Sequence, residues 1–506
     1  MSTQPNPFEI NTGADRLRSP AFVVSILVLA GLSAMILSRM GLALGFGLIL
    51  IPFVFGYFTL LFSKPVVGLY TAVILSFLLL GLGRYIGGIQ FGLAMDGILL
   101  LTYIAVIFSN FYTKTDWTPA KKDVTLLAAI WVGYSLLQAV NPEIRSMEAY
   151  FGGLRGSLYM LFIIPLTLLL MNTHRRLDIF LYIWGGFSIL VSLKGIMQLM
   201  FGVDQWEAIW LESGAKITHV IFGKLRIFSF LCDAGQFGAN QAYSAVVAMI
   251  ISFVEKDVRK KFFYITVAVL GLYGMLISGT RGAISIPLAG FLLYFVLKKN
   301  KAVMIGGFFM LALVFVFFKF TMIGQDNQQI RRMRTAFDPN DASFQVRLEN
   351  QKKLKVYLAS RPFGGGLGHA GVKAQRYLPH AFLSNVATDS WYVLIWAEQG
   401  VMGLLLHLFI LFYILIKSSY NIMFRIRDPI VKMKMAALTS GMAGVMVASY
   451  GNAVLGTFPT GILLFTSMAI MLNYKVYENN EVEVNPALRL KEINTNSGLI
   501  RKNQIS

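Results

Sequence analysis

The chain consists mainly of apolar runs of about 20 residues, the length that crosses a bilayer as a helix, separated by short polar segments. A soluble domain is typically about 25% charged and lacks such runs. This chain is only 14% charged and is 56% hydrophobic. Because only helices and closed barrels satisfy the backbone inside a membrane, runs of this length predict an all-α, polytopic membrane protein.

The apolar runs predict fourteen spans. Several are short or broken by glycine, so we expect about 12–14 transmembrane helices, and the run 97–111 is shorter than a membrane helix usually is. The predicted spans are 20–38, 40–62, 66–83, 97–111, 123–140, 157–171, 177–200, 237–254, 262–278, 282–297, 302–319, 390–416, 433–450 and 454–474.

Lys and Arg are distributed unevenly between the loops. With the N-terminus inside, the inner loops hold 25 of them, against 8 in the short outer segments. Positive charge favours the cytoplasmic side, so the long loop 320–389 is predicted to lie on the outer face, which is periplasmic in a Gram-negative cell. The net charge of +20 is then loop charge beside anionic lipid rather than a sign of nucleic-acid binding.

The predicted organisation has five parts. We expect the first apolar run to stay in the membrane as an anchor, because a polar segment precedes it and a second run follows it at once. The parts are a cytoplasmic N-terminal segment 1–19, a first transmembrane part 20–319, a long periplasmic loop with active-site elements 320–389, a last transmembrane part 390–474, and a flexible cytoplasmic tail 475–506.

The long loop is the main polar interruption of the chain. Together with Lys319 at its border, it carries eleven of the 45 Lys and Arg residues but only five acids, so it is expected to meet an anionic ligand. Within it, 343–359 is predicted to be a surface helix that ends at Arg361-Pro362. The single cysteine, Cys232, excludes an internal disulfide and any multi-cysteine metal site.

Two arginines on the outer side are candidate ligand residues. Arg281 lies between two spans in the sequence SGTRG, where small neighbours leave space for a bulky partner such as a phosphate. An arginine at a membrane boundary is costly unless it is solvated or paired. Arg226 precedes a span on the same side. Guanidinium groups bind phosphate oxygens bidentately, so two converging arginines would clamp a diphosphate.

Asp389 and two histidines are candidates for proton transfer. Asp389 opens a predicted span, where either it or Ser390 would cap the helix. The alternative role for Asp389 is a general base that takes a proton from a hydroxyl group. His369 and His380 both lie in the long loop and are either solvated side chains or acid–base groups.

Two further features have structural interpretations. Glu398 lies inside a predicted span and is expected to face the bundle and pair with an arginine. Gly366, Gly368 and Gly371 match G-x-G-x-x-G, but no strand precedes them, so they predict a tight turn close to a ligand rather than a dinucleotide site.

Taken in order, these motifs resemble the O-antigen ligase and polymerase superfamily. The resemblance covers about residues 220–416 and is carried by a set of motifs on one predicted side of the membrane. They are Arg226 before GQFGAN, Ser278-Gly279-Thr280-Arg281-Gly282, Arg347 followed by RPFGGGLG from Arg361, and Asp389-Ser390-Trp391-Tyr392 running to Glu398, Gly400 and Gly403.

The resemblance implies a glycosyltransferase of the bacterial inner membrane that needs no nucleotide sugar, cofactor or metal. Its donor would be an undecaprenyl-diphosphate-linked glycan, and its acceptor a saccharide or lipid-linked saccharide (polymerase) or lipid A core (ligase). By position, Arg226 and Arg281 would hold the diphosphate. Arg347 and Arg361 complete the substrate-binding set, and Asp389 or His380 would be the catalytic base.

One departure from the family pattern bears on the acceptor. Ligase-type members carry histidine where this chain has Asp389, which favours a polymerase or a general exopolysaccharide enzyme. A transporter or flippase of lipid-linked oligosaccharide is the alternative function, and a membrane scaffold is a third. The chain has no internal repeat and its polar residues cluster on one face, both of which argue against transport.

Overall fold

The computed structural model describes residues 42–478 except 87–91, 112–113, 222, 327 and 339, together with the single positions 20, 24 and 28. The predicted segment 1–19, nearly all of the span 20–38 and the tail beyond residue 478 lie outside the described residues. The chain divides into two compact units, Met1–Pro65 and Val66–Ser506. The first unit contributes the described helix α1 (Leu42–Ser63).

The second unit is almost entirely helical, as the apolar runs predict. Its described strands are β1 (Val220–Ile221) and β2 (Lys224–Leu225), which pair antiparallel. Its helices are α2 (Val66–Leu82), α3 (Gly92–Ser109), α4 (Asp123–Leu137), α5 (Met147–Leu170), α6 (His174–Phe201), α7 (Gln205–Trp210), α8 (Lys216–His219), α9 (Ala234–Ser252), α10 (Val258–Ile277), α11 (Ser285–Leu297), α12 (Lys301–Phe320), α13 (Gln328–Arg334), α14 (Ala342–Leu358), α15 (Phe382–Asn385), α16 (Trp391–Phe424), α17 (Pro429–Ala448) and α18 (Thr460–Leu472).

Thirteen of the fourteen predicted spans coincide with helices in the described part of the chain. Eight described helices are long and apolar enough to cross a membrane, and four shorter apolar helices accompany them. The all-α, multi-pass architecture predicted from the sequence is therefore confirmed. The uncertain run 97–111 belongs to α3, which begins earlier, at Gly92.

Helix α9 occupies the centre of the bundle. Nearly all of its residues are buried, and it packs against α10, α11 and α17. Both of its glutamines bond to neighbouring helices, as polar residues do between membrane helices. The Gln236 amide nitrogen donates to Thr460 Oγ1 at 2.7 Å, and the Gln241 amide oxygen accepts from Ser188 and Ser192 at 2.8 and 3.0 Å.

The predicted inner and outer loops gather at opposite ends of this bundle. At the predicted inner end, Lys434 Nζ lies 2.5 Å from an Asp178 carboxylate oxygen, and the Tyr477 hydroxyl donates to the Met171 carbonyl at 2.7 Å. The helical turn 474–478 thus packs against the end of α5. The predicted outer segments meet one another at the other end.

The long loop folds into short helices, as predicted. It contains α13, a 3₁₀ turn at Thr335–Phe337, α14, a second 3₁₀ turn at Val372–Arg376, and α15. Helix α14 confirms the predicted surface helix. Its apolar side packs on α16, where Leu354 and Leu358 join a buried cluster with Leu383 and Ala397. The loop is therefore a folded layer against the helix ends.

Candidate active site

The turn that carries Arg281 is held rigidly between α10 and α11. After α10 ends, Gly279 adopts a φ of +58°, and a 3₁₀ turn begins at Arg281. The Thr280 backbone nitrogen donates to Ser278 Oγ at 3.0 Å, and Thr280 Oγ1 donates to the Ala234 carbonyl at 2.7 Å. These bonds tie the turn to the start of α9 and fix where the Arg281 side chain begins.

Arg226 reaches the same turn from the preceding outer segment. Its Nη2 donates to Thr280 Oγ1 at 3.4 Å and its backbone nitrogen to the His219 carbonyl at 2.8 Å. The Arg84 guanidinium braces this segment, because it lies 4.4 Å from the ring centroids of both Trp210 and Phe228. Arg226, which was predicted to precede a span on the outer side, is thus held beside Thr280.

A buried ionic cluster anchors the other side of that segment. Lys194, the charged residue inside a predicted span, lies 2.9 Å from an Asp204 carboxylate oxygen and 3.4 Å from one of Glu207. Asp204 also caps α7 and accepts from the Tyr85 hydroxyl at 2.6 Å. Lys194 offsets part of the charge of the two carboxylates, and Arg84 also acts electrostatically on Glu207. We therefore interpret the cluster as a structural support for the segment that carries Arg226.

The long loop supplies the remaining charges. Arg281 Nη1 lies 2.5 Å from an Asp341 carboxylate oxygen and donates to Thr335 Oγ1 at 3.2 Å. Asp341 also caps α14 through the Phe344 backbone nitrogen at 3.1 Å. The contact between Asp341 and Arg281 therefore fixes the start of the helix whose second turn carries Arg347.

Asp389 is available for a role other than helix capping. Ser390 caps α16, since its side chain accepts from the Val393 backbone nitrogen. The Asp389 carboxylate instead lies 3.3 Å from Arg347 Nε, and its side chain is 54% exposed. A carboxylate that is exposed and held by a guanidinium can meet an incoming hydroxyl group.

The electrostatics of Arg226 show that these groups share one neighbourhood. Burial lowers the pKa of Arg226 below its ordinary value, and the positive charges of Arg281 and Arg347 lower it further. The carboxylates of Asp233 and Asp389 oppose this shift. Residues far apart in the sequence therefore act on one another at one end of the bundle, and their arginines outnumber their acids.

The glycine-rich turn packs against backbone instead of lining an open space. Helix α16 breaks at Gly400, which has a φ of +71°, and a Cβ there would lie 2.0 Å from the Pro362 carbonyl oxygen. A Cβ on Gly368 would lie 1.9 Å from the Ala149 carbonyl. The tight turn that the glycines predict is present between α16 and α5, and the atoms closest to it belong to the main chain.

Glu398 is buried, as expected, but no arginine pairs with it among the described residues, so that part of the expectation was wrong. Its buried carboxylate accepts backbone hydrogen bonds from Gly368 and Ala370. His369 is also structural. Its Nε2 accepts from the backbone nitrogens of Arg145 and Ser146 at 2.9 and 3.2 Å.

Arg361 and His380 lie outside these contacts. Arg361 Nε donates to a Glu143 carboxylate oxygen at 2.8 Å, and its guanidinium lies 4.2 Å from the Tyr357 ring centroid. Arg361 follows the end of α14, and that end lies about 16 Å along the helix axis from Arg347, at ~1.5 Å per residue. His380 is exposed and makes no side-chain hydrogen bond or ion pair within the described residues.

Two participants were not singled out from the sequence. Asp341 pairs with Arg281, and Arg332 on α13 lies near both Arg226 and Arg281. An aspartate before a helix is a capping signal, so Asp341 could have been found as a cap but not as an ion-pair partner. Nothing in the sequence separates Arg332 from its basic neighbours. Across the described ranges, no three His, Cys, Asp or Glu side chains group as metal ligands would.

Comparison with known families agrees with the motifs. Residues 266–408 match the family model described as O-antigen ligase. This segment of the chain is therefore similar to an O-antigen ligase domain. This match confirms the resemblance to the O-antigen ligase and polymerase superfamily, and it spans Arg281, Arg332, Arg347 and Asp389. No curated protein and no solved structure matches the chain.

Proposed function

We propose that this O-antigen ligase-family chain is a membrane glycosyltransferase that transfers a glycan from undecaprenyl diphosphate to a saccharide acceptor in surface polysaccharide assembly. The observation that carries the proposal is the convergence of Arg226, Arg281, Arg347 and Asp389. Arg226 Nη2 donates to Thr280 Oγ1, next to Arg281, and Arg347 Nε lies 3.3 Å from an Asp389 carboxylate oxygen, whose charge acts on Arg226. Three of these four residues fall within the O-antigen ligase match.

In this proposal the arginines bind the diphosphate of the donor. Guanidinium groups suit phosphate oxygens because they donate paired hydrogen bonds in a fixed plane. Arg226 and Arg281 hold the two phosphates at the membrane surface while the lipid tail stays in the bilayer. Arg361, which binds Glu143, contributes by holding the glycine turn in place.

The reaction is an inverting displacement at the anomeric carbon. The acceptor hydroxyl oxygen forms the new glycosidic bond as the bond between that carbon and the phosphate oxygen breaks. The electron pair of the broken bond stays on the diphosphate, where the arginines stabilise the growing negative charge. The acceptor proton passes to Asp389, and we retain His380 as the alternative base.

The acceptor and the orientation are also part of the proposal. We favour chain growth on a saccharide over transfer to lipid A core, because Asp389 stands where ligase-type members carry histidine. The distribution of Lys and Arg supports an inner-membrane protein whose active site faces the periplasm or the cell exterior.

The test is a transfer assay with purified full-length protein in lipid vesicles, supplied with a lipid-linked repeat unit and scored for chain growth and for released polyprenyl diphosphate. We expect Arg281→Ala to lower the rate by about a hundredfold or more, the usual cost of removing one charge-stabilising donor. Arg331→Ala is the matched control, because Arg331 is an exposed arginine of the same loop. Full activity in Arg281→Ala would contradict the proposal.

Two further arms separate the alternatives. Asp389→Asn and His380→Gln identify the base, and we expect the larger loss with Asp389→Asn. A transporter or flippase would move the lipid-linked glycan between leaflets without releasing polyprenyl diphosphate. Such movement with no release from the wild type would favour the transport alternative. Label that appears in lipid A would favour the ligase over the polymerase.

A further inference from the structure

A further arginine lies over the turn that carries Arg281. Helix α13 packs against the end of α10 and the 3₁₀ turn that begins at Arg281, and its Met333 is fully buried. The neighbouring Arg332 extends across Gly279, since a Cβ on that glycine would lie 3.2 Å from Arg332 Cδ. The buried methionine therefore fixes the rotation of α13 and directs Arg332 toward Arg281.

The other two arginines of α13 are directed elsewhere. Arg331 is exposed. Arg334 Nη2 donates to the Ile323 carbonyl at 2.6 Å, and its guanidinium lies 5.2 Å from the Phe317 ring centroid. Of the three, Arg332 is the one that the helix directs into the charged cluster.

The surroundings of Arg332 are unfavourable for a cation without a ligand. Burial, together with the charges of Arg226 and Arg281, lowers the pKa of Arg332 to about 10, with Asp341 opposing the shift. In addition, Nε of Arg226 is buried and has no hydrogen-bond partner in the part of the chain that the structure describes. The cluster thus combines mutually repelling guanidinium groups with a donor that is not satisfied.

We propose that Arg332 is a third phosphate-binding residue, which completes the site formed by Arg226 and Arg281 around the diphosphate of the donor. This inference rests on the proposed function and adds a residue to its substrate site. A diphosphate offers several oxygens on two phosphorus atoms, more than two guanidinium groups fill. A bound anion would turn the repulsion among the three cations into attraction to one partner.

The position of α13 suits a ligand at the membrane surface. It follows α12, a 20-residue apolar helix in which only Gly307 is buried among the residues whose exposure is described. Helix α12 therefore runs along the outside of the bundle, where lipid lies. A lipid diphosphate whose tail remains in the bilayer would present its phosphates at the level where α13 begins.

The experiment measures binding of inorganic pyrophosphate to full-length protein in nanodiscs of phosphatidylcholine, by calorimetry. We expect Arg332→Gln to weaken binding by about tenfold, the effect of losing one charge-assisted hydrogen-bonding group. Arg331→Gln makes the same charge change one residue away and is expected to bind like the wild type. Arg332→Lys keeps the charge but not the paired donors, so its pyrophosphate affinity should lie between that of Arg332→Gln and that of the wild type.

The outcomes separate the inference from the proposed function. Equal pyrophosphate affinities for Arg332→Gln and Arg331→Gln would overturn the inference. The proposed function would still stand in that case if Arg281→Ala loses transfer activity. Arg332-dependent binding without any transfer activity would support the phosphate site and overturn the proposed function. If Arg332→Gln does not fold, wild-type affinity in Arg332→Lys overturns the inference and weaker binding supports it.

A last arm distinguishes the donor from ordinary lipid. Nanodiscs that contain phosphatidylglycerol present a monophosphate headgroup next to the same helices. If this lipid abolishes pyrophosphate binding, the site binds bilayer headgroups, and its assignment to the donor diphosphate is overturned. Pyrophosphate binding that persists supports the assignment.

Discussion

The contact between Asp341 and Arg281 makes a specific prediction about donor affinity. The Asp341 carboxylate lies 2.5 Å from the Arg281 guanidinium, the group that the proposal assigns to the diphosphate. A phosphate that binds Arg281 must therefore displace a carboxylate of the same chain. Replacing Asp341 with asparagine removes this competing charge. Asparagine caps helices about as well as aspartate, so the start of α14 should be preserved.

The size of the effect follows from the exposure of the pair. The side chains are 22% and 17% exposed, so the pair is only partly screened and is worth about 1 kcal/mol, the upper end for surface pairs. Removing that competition should tighten donor binding by about fivefold, since 1.4 kcal/mol corresponds to tenfold. The empty protein should lose about the same free energy of unfolding, because Arg281 then lacks its partner.

The assay is the donor dependence of the initial transfer rate. We expect Asp341→Asn to lower KM by about fivefold with a small drop in Tm. Asp338→Asn serves as the matched control, since Asp338 is an exposed aspartate three residues upstream. A folded Asp341→Asn protein whose KM is unchanged or raised would refute the idea that Asp341 competes with the donor. Asp341→Ala also removes the cap and should lower Tm further.

Three other substitutions test separate parts of the structure. Asp389→Asn should keep the wild-type Tm while transfer falls by about a hundredfold, whereas Ser390→Ala should lose about 1 kcal/mol of stability through its missing cap and retain transfer, as thermal unfolding and rate measurements would show. Gly400→Ala should lower Tm and activity because its methyl group would lie 2.0 Å from a loop carbonyl oxygen. Gly133→Ala, with no atom within 4 Å, should leave activity unchanged and should not lower Tm, because alanine favours a helix more than glycine does. Burial lowers the pKa of His369 below its ordinary value of 6.5. The stability that its neutral ring contributes is therefore complete above pH 6.5 and is lost as the pH falls below that value. The wild-type Tm should accordingly drop more steeply than that of His369→Gln between about pH 7 and pH 5.

The spans could be predicted from sequence because length and hydropathy are local properties. The start of α3 shows where this fails. The predicted run begins after Asp96, since an acid interrupts an apolar segment, yet α3 includes this residue. The Asp96 carboxylate accepts from the Tyr159 hydroxyl at 2.7 Å and pairs with Arg155 at 2.7 Å. Its partners lie about sixty residues away, so the compensation is invisible to a local count.

The candidate site, too, could be predicted only in part from the sequence. Arg281 and Asp389 stand in recognisable motifs, and the structure brings both to one neighbourhood. The same is not true of Arg332, whose sequence context resembles that of Arg331 and whose direction depends on how α13 packs. Arg361 also stands in a motif, but Glu143, its partner at 2.8 Å, is 218 residues away. Motifs therefore indicate which residues are candidates, and the fold of the long loop decides which of them meet.

The pairing of Arg347 with Asp389 suggests how the proposed reaction moves charge. When the sugar–phosphate bond breaks, the diphosphate gains a negative charge, and Asp389 loses one as it takes the acceptor proton. Arg347 lies 3.3 Å from Asp389, the group that loses charge, and acts electrostatically on Arg226, which belongs to the proposed site that gains it. As its carboxylate partner becomes neutral, Arg347 is released toward the leaving group, where a positive charge lowers the energy of the transition state. Arg347→Lys should therefore lower kcat more than it raises KM, and the opposite pattern would mean that Arg347 only binds the donor.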